Sequence, residues 1–135
     1  MDSKRKSTVV LFVIFFSSAI LLFFLFNPTD HSFFIPCPFN YATGYHCPGC
    51  GSQRAIHQLL HGNLSAAFWL NPLLIISLPI IIYALGQKVY NYLFGTDHRV
   101  GLFYNRFFIY GFFGLALLFW ILRNVPFHPF SLLAP

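Results

Sequence analysis

Residues 8–26 read TVVLFVIFFSSAILLFFLF, a run of nineteen side chains without a formal charge. A helix of about twenty apolar residues is long enough to cross the hydrocarbon core of a bilayer. The basic cluster Lys4-Arg5-Lys6 precedes the run, as it would in a signal peptide. The run is longer than the apolar core of about 7–15 residues in signal peptides, and no small-residue cleavage site follows it. We therefore predict an uncleaved membrane anchor.

The composition of the whole chain suits a lipid environment. Hydrophobic residues make up 57% of the chain and charged residues only 8%, whereas soluble domains carry about 25% charged residues. Two further apolar runs follow the first. We predict a single all-α membrane domain over residues 1–135, with three transmembrane helices at about 8–26, 72–92 and 103–122.

Proline and glycine mark special positions in the second and third predicted spans. Proline is tolerated in the first helical turn, so the second span is expected to start at Pro72, and Pro79 within it is expected to produce a kink. Gly111 and Gly114 have the spacing of small residues that let two helices approach closely. They either face another span or are ordinary glycines of a membrane helix.

The basic residues indicate an orientation in the membrane. They flank the apolar runs and form no stripe interleaved with aromatic side chains, so nucleic-acid binding is not expected despite the net charge of +5. On one side of a three-span topology lie Lys4, Arg5, Lys6, Lys88, Arg99 and Arg106. Only Arg54 and Arg123 lie on the other side. The positive-inside rule then places the N-terminus in the cytoplasm, and residues 27–63 and 124–135 outside.

All three cysteines lie between the first and second predicted spans. They are Cys37, Cys47 and Cys50, and the last two belong to the run Cys47-Pro48-Gly49-Cys50-Gly51. We call residues 27–51 the cysteine loop. Glycine and proline interrupt it throughout, which predicts turns and no helix.

A short amphipathic helix is predicted directly after the cysteine loop, at residues 52–61. Ser52 is its expected N-cap, and Gly62 is suited to the position just past its end. Its apolar stripe indicates a helix lying flat on the membrane surface between the first and second spans. Asn71 is likewise expected to cap the second span.

The cysteines have the spacing of a metal site. Two cysteines separated by two residues and followed by a glycine can chelate one ion, and Cys37 can add a third thiolate to Cys47 and Cys50. A closed tetrahedral site needs a fourth ligand. The candidates are His46, His57, His31 and Asp30. The expected ion is zinc or iron.

Two alternatives remain open at the cysteine loop. Cys47 and Cys50 could be a redox pair, because a helix N-terminus lowers a thiol pKa and Arg54 could stabilise the same thiolate. Against this, the βαβ frame of thioredoxin-type pairs is absent, and three cysteines cannot form two pairs for an intramolecular relay. The other alternative is a structural disulfide from Cys37 to Cys47 or to Cys50, which leaves one free thiol. Arg54 is also a candidate for binding a phosphate headgroup or a carboxylate.

The ordered set of motifs resembles a known family. The motifs are Cys37-Pro38, Thr43-Gly44, Cys47-Pro48-Gly49-Cys50-Gly51, Arg54 and Asn71-Pro72. In this order they resemble the bacterial membrane-protein family called domain of unknown function 2752. The resemblance covers about residues 36–85 and extends loosely to Arg123-Asn124 and the proline-rich tail. Gln53 departs from the family's usual threonine, so no role is expected for a hydroxyl there.

The resemblance implies a small bacterial integral membrane protein of the inner membrane, with no established activity. From the residues, we expect a non-catalytic accessory or assembly factor, since three spans without a buried charge offer no transport path. Its partners would be the bilayer and either another membrane protein or a second copy of the chain. The alternatives are a membrane thiol–disulfide exchange protein using Cys47 and Cys50, and a scaffold with a disulfide-pinned loop.

Overall fold

A computed structural model of the protein describes residues 3–30, 34–99 and 101–134. These residues form helices and turns without a strand, which confirms the all-α prediction. The elements are α1 (Ser3–Leu25), α2 (Pro38–Thr43), α3 (Ser52–Leu60), α4 (Leu64–Leu70), α5 (Pro72–Phe94), α6 (Gly101–Tyr104), α7 (Arg106–Leu122) and a final 3₁₀ turn at Phe130–Leu133.

Two of these helices are long and apolar enough to cross a membrane. They are the segment Lys6–Leu25 of α1 and the whole of α5, Pro72–Phe94, with mean hydropathies of 2.8 and 1.7. Only 0% and 6% of their most apolar windows are buried inside the protein, unlike the core helix of a soluble domain. Exposed apolar helices of this length are compatible with a lipid solvent.

The third apolar helix differs from its prediction. It begins at Arg106 rather than near residue 103, because the chain breaks at Asn105, whose side chain accepts a hydrogen bond from the Phe107 amide at 2.9 Å. Asparagine is a strong N-cap because its side-chain oxygen can satisfy an unpaired amide of the first turn. The resulting helix has 17 residues, fewer than the other two. A Cβ added to Gly111 or Gly114 would meet no described atom within 4 Å, so neither glycine is in close contact with another helix among the described residues.

The cysteine loop contains a helix where only turns were predicted. Pro38 starts α2, and proline is suited to a first helical position because its missing amide hydrogen would be unpaired there. Gly44, at φ 75°, ends α2 in the left-handed conformation, and its amide donates to the Asn40 carbonyl. The loop is therefore a helical turn between Cys37 and Cys47.

Helix α3 runs from Ser52 to Leu60, and its N-cap is Gly51 instead of the predicted Ser52. Gly51 has φ 81°, a conformation that favours glycine, and this turn frees the Ser52 hydroxyl to accept a hydrogen bond from Asn71 at 2.9 Å. Gly62 has φ 78° just past the helix end, as predicted.

The end of α1, the start of α5 and the end of α7 each contact the cysteine loop or α3. His57 Nδ1 of α3 lies 2.7 Å from the carbonyl of Phe23, in the last turn of α1. Since a carbonyl can only accept, Nδ1 carries the hydrogen, and it satisfies one of the carbonyls that a helix end leaves unpaired. Helix α5 begins at Asn71-Pro72 and α7 ends at Arg123, both within hydrogen-bonding reach of the loop.

Candidate metal centre

The three thiols come together in one cluster. Cys37 Sγ lies 3.2 Å from Cys47 Sγ, and Cys50 Sγ lies 3.4 Å from Cys47 Sγ. All three ligand atoms lie within 4.8 Å of one another. None of the cysteines is in a disulfide, and Cys50 is buried with 7% of its surface exposed.

A tight turn presents the last two cysteines to the first. The Cys50 amide donates to the Cys47 carbonyl at 3.1 Å, and the Cys47 amide donates to Cys50 Sγ at 3.2 Å. Amide donors to sulfur favour the thiolate form that binds metals. The third thiol, Cys37, comes from the residue before α2, so the start of that unpredicted helix positions it.

The spacing of the sulfurs suits a tetrahedral metal ion. With metal–sulfur bonds of about 2.3 Å, the sulfurs of a tetrahedral zinc site lie about 3.8 Å apart. The separations of 3.2 and 3.4 Å in the cluster are shorter than this by about half an ångström, a change that side-chain rotation can supply. Cys37, Cys47 and Cys50 therefore fit a three-thiolate site for zinc or another soft divalent ion.

A buried arginine forms hydrogen bonds to the backbone of the cysteine turn. Arg123, at the end of α7, has 1% of its surface exposed. Its Nη1 donates to the Cys47 carbonyl at 2.9 Å, and its Nη2 donates to the Cys50 carbonyl at 3.2 Å. The guanidinium carbon lies 4.9 Å from the centre of the Phe119 ring. The Nε of Arg123 is buried without a hydrogen-bond partner among the described residues.

The Arg123 cation has no carboxylate beside it in the described part of the chain, where the one ion pair joins Arg99 to Asp97. Burial lowers the pKa of Arg123, and the negative charges that Cys50, Cys47 and Cys37 can carry act in the opposite direction. A buried charge is costly unless an opposite charge compensates it. The cysteine cluster is the source of negative charge that the structure offers to Arg123.

Two asparagines complete the frame around the turn. Asn124 binds both backbone groups of His46: Oδ1 accepts from its amide and Nδ2 donates to its carbonyl, each at 2.8 Å. Asn71, with 1% exposure, donates from Nδ2 to the carbonyls of Pro48 and Cys50 at 2.9 and 3.2 Å. Its Oδ1 accepts from the Leu74 amide at 3.0 Å, which is the predicted cap of α5.

The pKa values of the thiols diverge. A hydrogen bond from the Asn40 backbone is the largest influence that lowers the pKa of Cys37 to about 7. Burial raises the pKa of Cys50 to about 12. The expectation that the helix N-terminus would lower the pKa of Cys50 therefore does not match the structure, in which burial and the side-chain hydrogen bond with Cys47 raise that pKa.

The candidate fourth ligands do not join the cluster. His57 is bound to the Phe23 carbonyl, and its ring packs on His61 with 4.3 Å between ring centres. Asp30 bonds to Asn27 and Thr29. His31 lies outside the described residues. Among the described residues, the group of closely spaced metal-ligating atoms contains only the three cysteines.

An open cavity lies over the cluster. It has a volume of about 700 Å³. Its lining includes Cys37, Cys50, His46 and Arg54, as well as the apolar segment Phe34–Pro36. Burial, followed by the charges of Arg123 and Arg54, lowers the pKa of His46. The imidazole of His46 is therefore neutral at physiological pH and lies at the cavity wall, outside the group of metal-ligating atoms.

Sequence reasoning missed that Arg123 and Asn124 bind the backbone of the cysteine turn. Arg123 was used there only as a charge that bounds the third span. Two signals pointed to it: it is one of only two basic residues on the predicted outer side, and the family resemblance extended loosely to Arg123-Asn124. Because the contact spans more than seventy positions in the sequence, no local pattern could reveal it.

Comparison with known proteins supports the boundaries of the motif. The model of a family described as "Protein of unknown function (DUF2752)" matches residues 37–85. This match confirms the resemblance indicated by the cysteine, arginine and asparagine–proline motifs. It begins at Cys37 and ends within α5, so Arg123 and Asn124 lie outside the matched segment. No curated protein and no solved structure matches this chain.

Proposed function

We propose that this chain is an inner-membrane protein whose cysteine loop binds one divalent metal ion, preferentially zinc, through Cys37, Cys47 and Cys50. Its role would be that of a non-catalytic accessory or assembly factor that presents the ion at the outward-facing surface of the inner membrane. The single observation that carries the proposal is the convergence of three thiols within 4.8 Å of one another in a turn that a buried arginine binds.

Charge balance favours a metal over a disulfide. A divalent ion with three thiolates carries one net negative charge, which would compensate the buried guanidinium of Arg123. A disulfide between Cys37 and Cys47 would be neutral and would leave Cys50 as the third thiol, whose pKa burial raises. In that state the Arg123 cation would stay buried without a negative partner, at a cost of several kcal/mol.

The pKa pattern also disfavours the thiol-exchange alternative. An exchange pair needs an attacking thiol with a lowered pKa inside the Cys47–Cys50 motif. The pKa of Cys37, which lies outside that motif, is lowered, while burial raises the pKa of Cys50 within it. Arg54 lines the cavity, but the structure gives it no hydrogen bond to either sulfur of the pair.

The arrangement of the helix ends supports three spans. Helices α1, α5 and α7 alternate in direction, and the end of α1, the start of α5 and the end of α7 all contact the cysteine loop or α3. With 17 residues, α7 is about 26 Å long, close to the thickness of a thin bilayer core. The positive-inside rule then puts the cysteine loop outside and the N-terminus in the cytoplasm.

Serine substitution of each cysteine tests the metal proposal. We expect Cys37→Ser, Cys47→Ser and Cys50→Ser each to lose most of the ion from detergent-purified protein, measured by elemental analysis. Thiol exchange predicts instead that Cys37 is dispensable and that Cys47 and Cys50 are not. A Cys37→Ser variant that retains a full equivalent of metal would contradict the proposal.

A further inference from the structure

The cavity over the thiol cluster gives access to the position that the three cysteines leave open on a metal ion. Cys37 and Cys50 both line this cavity. Arg123 does not line the cavity, and its guanidinium is buried against the carbonyls of Cys47 and Cys50. Three protein ligands with an accessible fourth position are the pattern of zinc sites that exchange ligands, whereas purely structural sites are closed.

Arg54 gives this cavity a positive charge. It lies in the first turn of α3 and lines the cavity with Cys37 and Cys50. No acidic side chain lines the cavity, and none forms an ion pair with Arg54 within the described ranges. The chain has only three acidic residues in all, of which Asp30 and Asp97 have hydrogen-bond partners elsewhere. The cavity therefore favours a negatively charged occupant.

The charges can be added for the loaded site. One divalent ion, three thiolates and the cations of Arg54 and Arg123 sum to one positive charge. A fourth ligand with a single negative charge makes the site neutral, which removes the excess positive charge near the buried Arg123. Ile35 and Pro36 line the cavity and are exposed, so a short hydrocarbon part of that ligand can contact them.

We propose that a small organic anion with one negative charge enters from the cavity and completes the coordination of the metal, while Arg54 binds its charge. This proposal rests on the metal site proposed above. Binding is a ligand substitution: the anion replaces a water molecule on the ion, and no electron is transferred. The role of the cysteine loop is then to present an exchangeable, anion-selective metal position at the outer surface.

Cobalt-substituted full-length protein in detergent provides the test. Thiolate-to-cobalt absorption reports the three sulfurs, and the visible bands of cobalt change when the fourth ligand changes. Azide serves as the anionic probe and imidazole as the neutral one. We expect Arg54→Gln to weaken azide binding about tenfold or more, as expected for loss of a charge-assisted contact, and to leave imidazole binding unchanged. Arg54→Lys should retain part of the azide affinity.

Arg106→Gln is the matched control, because it removes one positive charge at the far end of α7, about 25 Å from Arg123. It should leave both affinities unchanged. Equal azide affinities in the wild type and in Arg54→Gln, with the cobalt absorption intact, would overturn the anion proposal alone. Absence of thiolate-to-cobalt absorption in the wild type would overturn the metal proposal and this one with it.

A lipid phosphate is the other possible source of the negative charge. Titrations in nanodiscs of zwitterionic and of anionic lipid, at one ionic strength, separate the two sources. Equal azide affinities in both lipids support a free anion. Azide could instead bind more weakly in anionic than in zwitterionic lipid, with the difference between the lipids lost in Arg54→Gln. That result would assign the fourth position on the metal to a lipid phosphate and overturn the proposal.

Discussion

The two ends of the long helices are built differently. At the cysteine end, side chains bond across distant parts of the chain: Arg123 to the Cys47 carbonyl, Asn71 to the Pro48 carbonyl, and His57 to the Phe23 carbonyl. At the opposite end, the turn between α5 and α7 is held by local bonds. Asn91 bonds to His98, seven positions away, and Arg99 to Asp97, two positions away.

This difference indicates that the relative positions of the helices are fixed mainly at the cysteine end. Local bonds close a turn without fixing its position relative to other helices, whereas long-range polar bonds fix several elements at once. Between the two ends, the helices expose apolar side chains, and a lipid solvent tolerates many such surfaces. Substitutions should therefore have large effects at the cysteine end and small ones elsewhere.

Loss of Arg123 should have the largest effect. Arg123→Met removes two charge-assisted hydrogen bonds, one to the Cys47 carbonyl and one to the Cys50 carbonyl, which keep only the Cys50 amide and Asn71 as donors. We therefore expect about 2–4 kcal/mol of destabilisation and a large loss of metal affinity. Unfolding in detergent and metal titration measure the two effects. Arg106→Met, at the other end of the same helix, should change the unfolding free energy by less than about 0.5 kcal/mol. Equal effects of the two substitutions would contradict the comparison.

The two helix-capping asparagines provide the next contrast. Asn71→Ala removes the cap of α5 together with the bonds to the Pro48 carbonyl and the Ser52 hydroxyl, so we expect a cost of about 2–3 kcal/mol. Asn105→Ala removes only a cap, and its expected cost is about 1 kcal/mol. Thermal unfolding in the same detergent compares them, and a larger cost for Asn105→Ala would refute the distinction.

The thiols of the metal-free protein should differ in reactivity. The pKa of Cys37 is lowered to about 7, so roughly half of it is thiolate at neutral pH, whereas the pKa of Cys50 is raised to about 12 and it remains a thiol. We expect iodoacetamide to modify Cys37 at least about tenfold faster than Cys50, followed by mass spectrometry of the peptides. Faster modification of Cys50 would show that the turn is open in solution.

The same pKa values give the metal affinity a pH dependence. Metal binding must displace the proton of Cys50 at any pH below about 12, so affinity rises with pH throughout the physiological range. Cys37 releases a proton on metal binding only below about pH 7. The slope of log affinity against pH should therefore be smaller by about one above that pH than below it. Competition with a chelator of known pH dependence measures the slope, and an affinity that does not change with pH would exclude thiols as ligands.

The smallest effect is expected on the body of α7. An added Cβ at Gly111 or Gly114 meets no described atom within 4 Å, and alanine favours a helix over glycine by up to about 1 kcal/mol. Gly111→Ala and Gly114→Ala should therefore leave stability unchanged or raise it slightly. A marked loss of stability would reveal a second chain packed on that face.

Local chemistry made much of the fold predictable from the sequence. Long apolar runs indicated the helices, Asn71 before Pro72 indicated the start of α5, and Gly62 indicated the end of α3. The misjudged positions depended on competing local choices. Gly51 and not Ser52 is the N-cap of α3, because the hydroxyl of Ser52 bonds to the distant Asn71. The third apolar helix begins later than predicted, because Asn105 caps it and separates it from α6.

The sequence pointed to the three cysteines of the cluster and not to the residues that surround them. The spacing of Cys47 and Cys50 indicated chelation, and the structure brings Cys37 to them. Arg123 and Asn124 reach the same turn from the end of α7. Such pairings depend on how the helices pack, which periodicity and spacing do not encode.

Whether the cysteine loop binds a metal ion can be measured by X-ray absorption at the metal edge, together with elemental analysis of protein purified without added metal. We expect about one equivalent of zinc with three sulfur neighbours at about 2.3 Å and one oxygen or nitrogen neighbour at about 2.0 Å. Metal-free protein with a single titratable thiol would contradict it, and would show instead that two of the cysteines form a disulfide.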